Sequence, residues 1–135
     1  MRKLGIGERV ALVSGRDDMP ALLQAADLMI CPASARDGGV VVLEAIVAGL
    51  PVVTTSLCDA ATYTCESGAG IVLDEPFSQS RFNEVLADAL ADAPQRAAWS
   101  DHGVDFGIRH PGLYEMPARA LDIIDAYVAG RDAVE

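Results

Sequence analysis

The sequence predicts an α/β fold: a Rossmann-like parallel sheet of about four strands with flanking helices. Three observations predict it. Short, continuously apolar segments ("RVALVSG", "DLMICP", "PVVTT" and "GIVLDE") recur along the chain, and segments of helical composition separate them. Strands apolar on both faces belong to sheets covered on both sides, which is the parallel arrangement. After the last of these strands the pattern changes to helix alone.

Taken in order, residues 9–15 read as a strand that ends at a turn glycine. "DDMPALLQAAD" reads as a helix, capped by Asp17 or Asp18 and carrying Pro20 in its first turn. Pro32 stops the next strand. Residues 40–48 lack strict alternation and contain Leu, Glu and Ala, so a helix is expected, ended by Gly49 before "PVVTT". "AATYTCES" suits a short helix before Gly68 and the fourth strand. Phe82, Val85, Leu86, Ala89 and Leu90 then fall at helical spacing, with Ser78 or Ser80 as cap. Further helices are expected over 95–102 and 117–128, the latter capped by Gly130. No repeat, linker or low-complexity tract divides the chain, so residues 1–135 form one domain unit.

Composition excludes several functions. The net charge of −10 argues against nucleic acid and anionic lipid surfaces as partners. No apolar run approaches the ~20 residues of a transmembrane helix, and the first residues contain no signal-peptide core. Cys31, Cys58 and Cys65 are odd in number and lack metal spacing, which fits reduced thiols in a cytoplasmic protein. His102 and His110 have no partners at metal spacing, so neither a metal nor a cofactor is expected. Tyr, Trp and Phe are scattered and offer no evident aromatic platform.

Chemistry concentrates in "CPASARDGGVVVLEAIVAGLPVVTT". In open α/β sheets ligands bind at the carboxyl ends of strands, and this loop lies there. Gly38 and Gly39 leave backbone amides accessible at a helix start, where the dipole favours a phosphate. Glu44 lies about a turn further on, and helical side chains lean toward the N-terminus. A carboxylate behind a phosphate site can accept both hydroxyls of a ribose. The apolar neighbours of Glu44 suggest that little of this helix is exposed. Gly-Gly turns also close purely structural loops, and a lone Glu on a helix is ordinarily solvated.

"DLMICPA…GGVVVLEAIVAGLPVVTT" resembles the donor-binding half of retaining, nucleotide-sugar-dependent glycosyltransferases with two Rossmann-like domains, the GT-B type. "SGRDDMPALLQAADL", "YTCESGAGIVLDEPFSQSRFNEVL" and "LYEMPARALDII" extend the likeness, most closely to the lipopolysaccharide core glucosyltransferases of that family. The resemblance implies a partial C-terminal domain that binds UDP-glucose or UDP, in an enzyme moving glucose to an inner-core heptose. It implies that Glu44 holds the ribose, as the second acid of an E-x7-E motif. It further implies that Gly39, with Gly38 beside it, approaches the transferred sugar or its phosphate, and that Arg16 lies near the uracil. The motif's first acid falls at Arg36. Either Asp37 takes its place after a one-residue shift, or Arg36 meets the diphosphate. The family's acceptor-binding domain and its diphosphate-clamping Arg/Lys pair have no counterpart in these residues, so the chain alone is expected to be inactive. Acceptor binding would need that further N-terminal domain, and the whole enzyme would sit in the cytoplasm, peripheral to the inner face of the plasma membrane. A UDP-sugar 2-epimerase-like fragment and a non-catalytic oligomerising module are the rival classes.

The resemblance also bears on assembly. In the doubly wound order 3-2-1-4-5-6, residues 9–15 and 27–32 would be the third and fourth strands, separated by two strands that these residues do not supply. Either 9–15 moves in beside 27–32, or another chain fills the gap. Moving in would put the crossover helices on one face and leave the other bare unless C-terminal helices cover it. A homodimer or higher oligomer is the expectation.

Overall fold

A computed structural model describes residues 5–13, 18–35 and 39–113. Arg16, Arg36, Asp37, Gly38 and the helix expected over 117–128 lie outside the described residues. Three parallel strands, β1 (Met29–Cys31), β2 (Val52–Thr55) and β3 (Gly70–Leu73), stand side by side in chain order. Met29 is opposite Val52, and Val52 is opposite Gly70. Among the described residues five helices flank them: α1 (Met19–Gln24), α2 (Gly39–Val47), α3 (Ala61–Ser67), α4 (Gln79–Ala91) and α5 (Ala93–Arg109).

The expected first strand is the main departure. Gly7–Arg9 is a single 3-10 turn, and residues 10–13 join no strand and are exposed, Leu12 to 85%. A β-rich run becomes a strand only against a partner edge, and among the described residues this one has none. β1 therefore remains the outer strand on its side, with Ile30 44% exposed.

Alternate residues of β2 feed two cores. Val52 packs with Val42, Ala45 and Ile46 of α2, Ala61 of α3 and Phe106 of α5. Val53, its neighbour, packs with Leu73 and with Val85 and Ala89 of α4. α4 covers the second face over Val53 and Leu73, while Ile30, on the same face of the outer strand, stays 44% exposed. The cover is a later helix of the same chain, the alternative to a bare face that the sequence left open, and it does not extend over Ile30.

Helix ends follow local chemistry. Gly49 adopts φ 76°, the Leu50 amide donates to Ala45 O (2.9 Å) and the Gly49 amide to Ile46 O (3.0 Å), a Schellman end to α2. Ser78 Oγ accepts from the Arg81 amide at the start of α4, and Asp92 Oδ1 accepts from the Gln95 amide at the start of α5. α5 continues well beyond residue 102, passing through Gly103. There it crosses α2 so closely that a Cβ would collide with the Ile46 carbonyl oxygen.

Candidate functional site

β2 fastens the carboxyl edge of β1. Thr54 Oγ1 donates to Cys31 O (2.8 Å) and Thr55 Oγ1 to Ala33 O (2.7 Å). Two buried hydroxyls thus hold the chain leaving β1, on its way to the start of α2. Gly39 opens that helix and is half-buried, and a Cβ there would lie 3.1 Å from Asp59 Cβ in the loop after β2. Close approach to that loop is a packing reason for glycine, beside any ligand.

Glu44 occupies the opposite flank from the core. Val42, Ala45 and Ile46 are buried, whereas Val40 is 75% exposed and Glu44, one turn later, is exposed as well. This corrects the inference that the apolar run leaves little of the helix in solvent: its apolar residues are not all inside. The Glu44 carboxylate makes no hydrogen bond or ion pair with any described residue. It lines an open cavity of about 300 Å³ between α1 and α2, together with Met19, Pro20, Leu23, Val47 and Ala48.

Of the six residues singled out in the sequence, the described structure holds two, Gly39 and Glu44, at the start and past the middle of one helix. The cavity beside Glu44 does not include Gly39. Met19, Pro20 and Leu23 line this cavity and were missed as site residues. Their signal was present: a helix that enters from the carboxyl edge beside the Glu44 helix must supply a wall of any cleft between them. Pro20 had been read only for its effect on the helix start.

The remaining chemistry-bearing residues serve structure. Nδ1 of His102 pairs with Gly68 O (3.2 Å) and Nδ1 of His110 with Phe106 O (2.8 Å), both as donors to carbonyls, and the His110 ring stacks on Phe106 at 4.2 Å. Cys58 is buried and Cys65 exposed, both as free thiols. Among the described residues no three His, Cys, Asp or Glu side chains converge as metal ligands, and no helix is long and apolar enough to cross a membrane.

Comparison with known proteins agrees with the architecture. Residues 1–105 match the family of glycosyl transferases group 1. The chain is 44% identical over 128 residues to the lipopolysaccharide glucosyltransferase WaaG of Escherichia coli K12, covering 95% of this chain and 34% of that protein. It is 32% identical over 128 residues to the D-inositol 3-phosphate glycosyltransferase of Salinispora tropica, covering 92% of this chain and 25% of that one. The crystal structure of WaaG, a glycosyltransferase involved in lipopolysaccharide biosynthesis, superposes with a TM-score of 0.84 at 45% identity, over 91% of this chain and 33% of that chain. The chain therefore spans about a third of the length of WaaG and about a quarter of the Salinispora enzyme. The α/β expectation, part of a GT-B glycosyltransferase, is borne out by that superposition. By the match over residues 1–105, this chain belongs to the group 1 glycosyl transferases.

Proposed function

We propose that residues 1–135 are part of the nucleotide-sugar (donor) binding domain of a glucosyltransferase that moves glucose from UDP-glucose to an inner-core heptose of lipopolysaccharide. The supporting observation is Glu44, an exposed acid whose carboxylate has no partner among the described residues, on a cavity walled by the first turn of α1. The likeness to WaaG supplies the substrate class. Glu44 would accept the ribose hydroxyls while the amides at the start of α2 meet the phosphate. Arg16, Arg36, Asp37 and Gly38 belong to the same proposed donor site. On this reading the whole enzyme would act in the cytoplasm, peripheral to the inner face of the plasma membrane.

Titrating the chain with UDP and UDP-glucose in a calorimeter tests the reading. Saturable binding is expected, and no heat of binding from either nucleotide would remove it. These 135 residues alone are expected to bind without turnover. A retaining transfer builds charge on the leaving diphosphate, and preorganised cations are the principal means of stabilising it. Among the described residues no Lys or Arg lines the Glu44 cavity. A coupled assay for UDP release, with and without a heptose acceptor, checks this; acceptor-dependent release from the chain alone would contradict it.

Self-association is proposed on separate grounds. The outer side of β1 is unpaired by any described strand, and Ile30 and Leu12 are exposed. Exposed edges with apolar side chains tend to pair. Sedimentation at micromolar concentration should show a dimer or larger species that Ile30→Lys dissociates. A compact monomer for the unsubstituted chain would refute it.

A further inference from the structure

A second groove, of about 390 Å³, opens where the loops leaving all three strands meet. Its walls include Ala33 and Ser34 after β1, Leu57 after β2, and Glu75, Phe77 and Gln79 after β3. It shares no residue with the Glu44 cavity. It does share a loop with the donor site: Thr55 Oγ1 holds Ala33 O at 2.7 Å, and the same loop runs on toward Gly39. An occupant of this groove would lie beside the donor loop.

The lining has a particular chemistry. Phe77 is 44% exposed, and its ring packs tilted against Phe82 at 5.9 Å, so a partly open aromatic surface is held in place. The Phe77 amide donates to Glu75 Oε2 at 3.1 Å, which positions that carboxylate beside the ring. Gln79 Nε2 donates to Asn83 Oδ1 at 2.9 Å, fixing a side-chain amide at the rim. Ser34 adds a hydroxyl. Among the described residues no lysine or arginine lines the groove.

A pyranose ring presents one face of C–H bonds and a rim of hydroxyls. The C–H face suits an aromatic ring, and the hydroxyls suit a carboxylate, an amide and a hydroxyl. A concave site with apolar walls and a few placed polar groups is the ordinary form of a small-molecule site. With no cation among the described lining residues, Glu75 would repel a phosphorylated or otherwise anionic sugar. We propose that this groove is a saccharide subsite for an uncharged pyranose on the acceptor side of the transfer, with Phe77 as its platform and Glu75 as its hydroxyl acceptor. The assignment to an acceptor rests on the glycosyltransferase function proposed above.

The test is an amide NMR titration of the 135-residue chain with methyl α-D-mannopyranoside, and with glucose 6-phosphate as the anionic probe. Saturable shifts are expected at Ser34, Leu57 and Phe77. Phe77→Leu keeps the apolar bulk but loses the flat face, and should weaken the glycoside roughly tenfold. UDP affinity should be unchanged in that variant. No saturable shift at these residues, or equal glycoside affinity in Phe77→Leu, would overturn the subsite. Equal binding of the sugar phosphate would overturn its restriction to uncharged rings. UDP binding without glycoside binding removes the subsite and leaves the donor reading. Glycoside binding without UDP binding leaves the subsite and removes the donor reading.

Discussion

Replacing Gly103 with alanine should destabilise the protein, by about 1–3 kcal/mol, although the same change in an ordinary helix interior stabilises by up to ~1 kcal/mol. The sign is decided by what the new methyl group meets. In α5 at residue 103 it would collide with the Ile46 carbonyl oxygen, a backbone atom in α2 that cannot rotate away. Relief requires the two helices to separate, and α2 is anchored by Val42, Ala45 and Ile46, each fully buried. Thermal unfolding measures it: a fall of roughly 4–12 °C is expected for a domain of this size, with Gly103→Val lower still. An unchanged or raised midpoint for Gly103→Ala would show that the close crossing is not tight. Because α2 also carries Gly39 and Glu44, the variant should bind UDP more weakly as well.

The second large effect concerns the ligand directly. Glu44→Ala should weaken UDP binding by about 1–3 kcal/mol, the range for a charged hydrogen-bond partner lost from a site. That corresponds to roughly 5- to 150-fold in affinity. Stability should scarcely change, because Glu44 is exposed and its carboxylate bonds to no described residue, and surface substitutions of that kind are usually within ~0.5 kcal/mol. The combination of lost affinity and retained melting temperature separates a ligand contact from a structural residue. Glu44→Gln keeps the shape and some acceptor capacity, so it should fall between wild type and alanine. Calorimetry giving equal affinity for wild type and Glu44→Ala would end the ribose assignment.

Much of the fold could be read from local signals. Val52 and Val53 are adjacent, apolar and both fully buried, because β2 is the middle strand and needs a hydrophobe on each face. Gly49 and Ser78 marked helix ends because their chemistry there is local: a positive φ in one case and a hydroxyl acceptor in the other. Failures came where the deciding partner is distant. Residues 10–13 have strand composition without a strand to pair with. The helix expected over 95–102 runs on through residue 103, which is glycine because Ile46 passes beside it.

The site was legible in a similar way. Its loop could be placed at the carboxyl edge from the order of strand and helix. The exposure of Glu44 could not, since the residues around it are nearly all apolar and the packing of α5, α3 and the sheet against α2 decides which flank is covered. The walls of the Glu75 and Phe77 groove come from three separate loops, and no spacing in the chain relates them.

Strand order that repeats chain order has a consequence for how the molecule assembles. β1, β2 and β3 each pair with the strand before or after them, so every sheet contact closes a short loop at small entropic cost. Growth can proceed as residues emerge, one strand and helix at a time, and low sequence separation favours speed. α5 is the exception among the described helices, returning across more than fifty residues of chain to lie against α2. Its docking should therefore be the late, slow step. Amides of α5 should accordingly exchange with deuterium through a partial opening that leaves the β2 ladder protected.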